Sequence, residues 1–439
     1  MIYDFGPFRV DARRFELLRD GAAVPLKRKA VQALVALIER RGELVTKNEL
    51  IAAVWGEHGT TTNNLSQHIF MLRDALGDSG GQDAYVLTVP RVGYRFVAAV
   101  THEEGESAGK VIARHYCANA EHLWQMRTHA SISSAASLYQ QALQEYPRCA
   151  DAYAGLATCH FLLAEYMFEP QRESLVIAER EAFRALEIDP HHALAHVVLG
   201  VCAAQLRYAW REAEHLLLSA IRHRPDLLWA HVHLVEQYIF EGKLSNAWQA
   251  LAHAQSLAAA DDPFPRLPLL RGSLHYFSAS YGAAIAELGV LVSDYPSYAL
   301  ARYLLAKAFL GKGDYEQAQF HVDEILRGGY DPLRPGQPHV RERAMTLAVL
   351  VLKASGDYAG ARRAARELGA FAASRSISNV CLAVASFGAG DINAAMRFIE
   401  LAVKNREALV ANVVPDPLLV PLHSHRMWPR LLAELRLTS

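Results

Sequence analysis

Cysteine is scarce in this chain. Five occur in 439 residues, at 117, 149, 159, 202 and 381, and none forms a C-x-x-C pair. An odd, dispersed set argues against a disulfide framework or a zinc cage and fits a reducing compartment. Long apolar runs are also missing. Stretches such as Leu347 to Leu352 stop far short of the ~20 residues a spanning helix needs. The opening residues, MIYDFGPFRVD, carry charge early and lack an apolar core, so no signal peptide is expected and the cytoplasm is the expected compartment. There is no excess of charge of one sign: 45 Lys and Arg face 46 Asp and Glu, a net of −1. That excludes a chain-wide basic coat while leaving room for a local patch. No H-E-x-x-H, P-loop, G-x-S-x-G or G-x-G-x-x-G pattern occurs, and the 20 histidines fall in no metal-ligand spacing. A protein without enzymatic activity, cofactor or metal is expected.

What is present is 51 % apolar residue content, enough for large cores. The length suggests two or more domains, or one long array. Composition shifts at 101–110, THEEGESAGK, a polar stretch without periodicity that reads as a linker. Before it strand and helix signals mix; after it helical signals dominate. Residues 1–100 carry a net of +2 and the remainder a net of −3.

In the first part, apolar residues alternate through 3–26, with a hairpin signal at Asp20-Gly21. Val31, Leu34, Val35 and Ile38 fall at helical spacing. Thr46-Lys47-Asn48-Glu49 has capping-box spacing and opens a second helix that runs to about Trp55. A third helix covers about Asn63 to Leu76. On it Leu65, Ile69, Leu72 and Leu76 share the core-facing arc, and Asn63, Asn64, Gln67, Phe70, Met71 and Asp74 share the opposite one, with His68 and Arg73 at its flanks. Two strands follow, YVLTV and YRFVA, around a turn at Pro90 to Gly93. The predicted order is sheet, three helices, hairpin.

Several motifs are specific: Leu50-x-x-x-Val54-Trp55-Gly56, Leu65-x-Gln67-His68-Ile69-x-x-Leu72-Arg73-x-x-Leu76-Gly77-Asp78, and Thr88-Val89-Pro90-Arg91-x-Gly93-Tyr94-Arg95-Phe96. With Phe8-x-Val10-Asp11 they make residues 1–100 resemble the OmpR/PhoB-type winged-helix DNA-binding domain. The resemblance implies a third helix in the major groove of promoter DNA and a hairpin wing in the neighbouring minor groove. Asn64, Gln67, His68 and Met71 would meet bases, Asn63 would join them as a DNA-binding residue of the recognition helix, Arg73 would hold a phosphate, and Arg91 and Arg95 would be wing contacts. The loop Gly56, Glu57, His58, Gly59, Thr60, Thr61, Thr62 would face RNA polymerase. The exposed arc has no Lys or Arg before Arg73 and carries Asp74, so one domain alone should bind weakly and a homodimer is expected.

The second part repeats itself. Gly313-Asp-Tyr315-Glu-Gln-Ala318 recurs as Gly356-Asp-Tyr358-Ala-Gly-Ala361 and Gly390-Asp-Ile392-Asn-Ala-Ala395, with looser copies ending at Ala135, Ala178, Ala213, Ala247 and Ala284. Prolines at 147, 190, 225, 296 and 332 mark the far ends of units. Period, small residues and prolines make residues 111–410 resemble about eight tetratricopeptide repeats, an all-α solenoid, with 411–439 as a C-terminal cap and extra loop length near Glu165 to Glu173. Such a groove suits a protein partner or a small-molecule effector. The pairing of an α+β winged helix with a repeat solenoid resembles the HilA-type transcriptional regulators and implies an activator more often than a repressor. No phospho-acceptor receiver domain is expected ahead of the winged helix. The rival reading is an interaction scaffold whose winged helix serves protein contacts.

Overall fold

The computed structural model describes all residues except 57–58, 79–84, 104–107, 167, 258–265, 329–339, 375–376 and 438–439. It divides into two compact units, Met1–Ala108 and Gly109–Ser439.

The first unit opens with a meander: β1 (Ile2–Phe5), β2 (Phe8–Asp11), β3 (Glu16–Arg19) and β4 (Ala22–Ala23). Alternation puts Tyr3, Phe5, Phe8, Val10 and Leu17 on the buried face. Asp20 and Gly21, between β3 and β4, both take positive φ (49° and 83°), as a type I′ turn demands. Three helices follow: α1 (Arg28–Glu39), α2 (Lys47–Trp55) and α3 (Thr62–Leu76). The Thr46 capping box forms in full: its hydroxyl accepts from the Glu49 N–H at 3.2 Å, and its own N–H donates to the Glu49 carboxylate at 2.8 Å. A short β5 (Val45–Thr46) joins β6 (Val86–Val89) and β7 (Gly93–Phe96) in a second sheet of order β5-β7-β6. Gly93 permits that contact, since a Cβ there would stand 2.0 Å from the Val45 carbonyl oxygen. The predicted order of sheet, three helices and hairpin holds.

The stretch 101–110, read from composition as a linker, carries regular structure at both of its ends. Thr101–Glu103 forms β8, which pairs antiparallel with β1 at the edge of the first sheet, and a helix begins at Ala108. An edge strand satisfies its backbone on one side and needs no apolar side chains, so composition alone hides it. Residues 104–107 lie outside the described residues.

The second unit consists of helix hairpins. They are α4 (Ala108–Gln125) with α5 (His129–Glu145), α6 (Ala150–Glu165) with α7 (Gln171–Ile188), and α8 (Ala193–Arg207) with α9 (Trp210–His223). Next come α10 (Leu228–Phe240) with α11 (Leu244–Leu257), α12 (Arg266–Phe277) with α13 (Tyr281–Asp294), and α14 (Ala299–Lys312) with α15 (Tyr315–Arg327). The array ends with α16 (Val340–Ala354) and α17 (Tyr358–Ser374), then α18 (Asn379–Gly388) and α19 (Ile392–Lys404). Each of the eight recurring alanines lies on the second helix of a hairpin, and each is fully buried. A larger residue there would hold the two helices apart. The recurring Gly-Asp also has a local cause. Gly313, Gly356 and Gly390 adopt φ near +90°, ending the first helix, and Asp314, Asp357 and Asp391 then accept backbone N–H bonds from Gln317, Gly360 and Ala394 to start the second. Prolines 147, 190, 225 and 296 follow α5, α7, α9 and α13, while Pro332 lies outside the described residues.

From α6 onward, successive first helices also touch one another, so they line the inner face of the array. The tail, expected to cap the array, packs against its last helix, α19, and also reaches further back. Two 3₁₀ segments, Ala408–Asn412 and Pro417–Ser424, and α20 (Trp428–Glu434) run back across that inner face. The Tyr276 hydroxyl and Lys307 Nζ both donate to Asp416, each at 2.5 Å, and the Tyr208 hydroxyl reaches the Glu407 carbonyl at 3.5 Å. One apolar cluster consequently joins Tyr208 and Trp210 to Leu310, Leu347, Phe387, Leu419 and Trp428. The groove is thus largely occupied by the chain's own tail.

Candidate nucleic-acid interface

Helix α3 is anchored by Leu65, Ile69, Leu72 and Leu76, all buried. The 3.6-residue period therefore turns Asn63, Ser66, Gln67, Phe70 and Asp74 to the surface. Phe70 is 72 % exposed, an unusual position for a large apolar ring unless it meets something. Met71 is half-buried beside this strip. Ser66 also lies on this exposed strip, which the sequence reading missed although the helical period places it there. Its hydroxyl donates to the Thr62 carbonyl at 2.8 Å and lies 3.5 Å from the Tyr94 hydroxyl.

Other expected contacts turn inward. His68 is half-buried, its Nδ1 lies 2.9 Å from the Asn64 carbonyl oxygen, and its ring stands edge-on to Trp55 with centroids 5.3 Å apart. Asn64 donates from Nδ2 to the Thr60 hydroxyl at 2.8 Å, and its N–H is capped by the Thr61 hydroxyl at 3.3 Å. These bonds tie the expected polymerase-facing loop to the first turn of α3. Gly56 and Gly59 take positive φ in that loop, while Glu57 and His58 lie outside the described residues.

Arg73, expected on a phosphate, bonds within the domain. Its Nε and one terminal nitrogen donate to the Val86 carbonyl at 3.2 and 2.5 Å, and that nitrogen also donates to the Thr88 hydroxyl at 2.8 Å. It fastens the reading helix to the wing. Asp78 completes the junction, its carboxylate accepting the N–H groups of Tyr85 and Val86, each at 2.9 Å. The wing turn is three residues, Pro90 to Val92, with Arg91 at φ 67°. Arg91 and Arg95 are both exposed. The arrangement offers one polar and aromatic strip on a helix, with a cation-bearing hairpin tied beside it.

Residues 21–96 match the family model described as "Transcriptional regulatory protein, C terminal". The first unit is a winged-helix domain of the OmpR/PhoB type. The chain is 34 % identical over 104 residues to the cholera toxin transcriptional activator of Vibrio cholerae, which covers 23 % of this chain and 35 % of that one. It is 36 % identical over 80 residues to the transcriptional regulator HilA of Salmonella typhimurium, covering 18 % of this chain and 14 % of HilA. The matched segments thus span about a third of the first relative and about a seventh of the second, and they speak for the winged-helix domain. A tetratricopeptide repeat protein from Parabacteroides merdae aligns with 63 % of this chain and 99 % of its own at 12 % identity, with a TM-score of 0.42. The repeat assignment here rests on the hairpins and their buried alanines.

Among the described residues no helix is long and apolar enough to cross a membrane. None of those residues groups three or more His, Cys, Asp or Glu side chains as metal ligands.

Proposed function

We propose that this chain is a sequence-specific, non-enzymatic transcription regulator of the cytoplasm, an activator by its relatives' names. The observation that carries the reading is the exposed strip of Asn63, Ser66, Gln67 and Phe70 on α3, set beside a wing that carries two exposed arginines. With α3 in the major groove, Gln67 would pair bidentately with an adenine edge, and Phe70 and Met71 would lie against thymine methyl groups. Arg91 and Arg95 would contact the backbone or minor groove beyond. Asn63 lies at the start of the strip and would reach a base edge or a phosphate. Arg73, His68 and Asn64 act as positioning residues, holding wing, helix and loop in register.

The Gly56–Thr62 loop is proposed as the contact for RNA polymerase, and the repeats as the region for homodimerisation or effector binding. Genome-wide occupancy of the tagged full-length protein tests this reading. Discrete promoter peaks whose sequence preference relaxes in Gln67→Ala support it. Absence of peaks with folded protein would overturn it in favour of a repeat scaffold whose winged helix binds protein.

A further inference from the structure

The repeat unit encloses a cavity of about 220 Å³ between the inner helices α10, α12, α14, α16 and α18 and the returning tail. Most of its wall is apolar, with Phe240, Phe277 and Tyr303 supplying rings and Val384 among the aliphatic residues that line it. Four acidic or basic side chains also reach the wall: Glu236, Lys307, Arg343 and Asp416.

Three of the four are matched. Lys307 Nζ donates to Asp416, which also accepts from the Tyr276 hydroxyl and, at 3.1 Å, the Leu418 N–H. Glu236 accepts from Arg266 at 2.7 Å and lies 2.9 Å from His233 Nδ1. Arg343 is different. Among the described residues, no hydrogen bond or ion pair engages its guanidinium, although it lines the same wall. Its charge acts on the chamber: burial raises the Cys381 thiol to about 11, and Arg343 works against that rise. A half-buried guanidinium facing an apolar chamber is incompletely solvated and favours an anion.

Size and charge then define the ligand class. An apolar cavity of about 150 Å³ holds benzene, so this one accommodates one ring with a short polar arm. The wall has one unmatched positive charge. A carboxylate would neutralise it through a bidentate pair, whereas a phosphate dianion would bring a second negative charge into a mainly apolar space. We propose that the repeat unit binds a small aromatic monocarboxylate in this chamber, with Arg343 holding the carboxylate and the tail forming one wall. The proposal rests on reading the repeats as an effector-binding region. Since Leu409, Asn412 and Val413 of the tail line the cavity, occupancy would hold the tail against the inner helices.

Titration calorimetry of the full-length protein with phenylacetate tests the proposal, with phenylacetamide as its uncharged isostere. The expected result is saturable one-to-one binding of phenylacetate and at least tenfold weaker binding of the amide. Arg343→Gln should weaken phenylacetate at least tenfold, and Val384→Phe, which fills the chamber, should abolish binding. Both variants should melt within a few degrees of the parent. Absence of saturable phenylacetate binding overturns the proposal, as does equal affinity for the amide, a comparison that needs no variant. Unchanged binding in a folded Val384→Phe protein places the ligand elsewhere and also overturns it. DNA binding measured alone separates this from the regulator reading. Intact promoter binding without phenylacetate binding refutes the chamber alone, and ligand binding without any DNA binding refutes the regulator reading alone.

Discussion

The indole N–H of Trp210 donates to the backbone carbonyl of Leu435, 225 positions later, at 2.6 Å. Trp210 opens α9 in the third hairpin, and Leu435 follows the last helix of the chain. The bond closes the tail over the inner face, and both residues are buried. Trp210→Phe keeps most of the packing but leaves that carbonyl unpaired. It should lower the stability of the repeat unit by about 1–3 kcal/mol, read as an earlier urea transition of the full chain. An unchanged midpoint would mean that the tail bond contributes nothing.

Arg73→Ala should act on the wing before it acts on DNA. Losing the bonds to Val86 and Thr88 should cost about 1–3 kcal/mol in the first unit. Amide exchange at Val86 to Thr88 should quicken in the free protein. DNA affinity should fall alike for all sequences, because the base-reading strip remains.

Arg91→Ala tests the wing as a charge contact. Removing one phosphate neutralisation makes the dependence of log K on log salt shallower by about 1. Fluorescence anisotropy of a promoter fragment across 50 to 200 mM salt (about that range suffices) reads it. An unaltered slope would remove Arg91 from the interface.

Cys149 should be the reactive thiol. Its Sγ lies 3.9 Å from that of Cys117. The Cys117 thiol donates to it, and backbone N–H groups at the start of α6 assist, pulling the Cys149 thiol down to about 7 against the opposing effect of burial. The thiolate is the nucleophile, so alkylation by iodoacetamide should accelerate as pH rises through about 7 and then level off. Cys159 and Cys202, whose thiols burial pushes up, should stay unlabelled in the folded protein. Peptide mass mapping distinguishes them.

Two glycines should respond oppositely to alanine. At Gly272 a Cβ would stand 2.5 Å from the Leu288 side chain, so Gly272→Ala should cost about 1–3 kcal/mol. Gly282, on the first turn of α13, has nothing within 4 Å, and Gly282→Ala should be neutral or stabilise by up to about 1 kcal/mol. Thermal melts of the two variants give the comparison.

Local rules made much of this chain readable before any coordinates. The type I′ turn at Asp20-Gly21 follows from positive φ, the α2 start from the Thr46–Glu49 box, and the hairpin array from the period of eight alanines. The face of α3 that carries Gln67 and Phe70 also follows from its period. Ser66 lay within reach of the same argument. The roles of Arg73, His68 and Asn64 did not, because their partners Val86, Trp55 and Thr60 are fixed by how the wing, α2 and the loop pack, and a polar side chain in a sequence carries no label for its partner. The edge strand β8 was hidden for a related reason, since a polar strand gains its order from β1.

By itself, then, the sequence determined the elements, their order and the winged-helix and repeat families, because turns, caps and close helix contacts impose residue types at short range. Tertiary structure decided where the tail goes. Asp416 meets Lys307 and Tyr276, and Leu435 meets Trp210, across more than a hundred positions. Those contacts turn an open groove into a chamber with one unmatched guanidinium, and no short-range pattern encodes a pairing whose cost and gain are settled only when distant apolar faces close together.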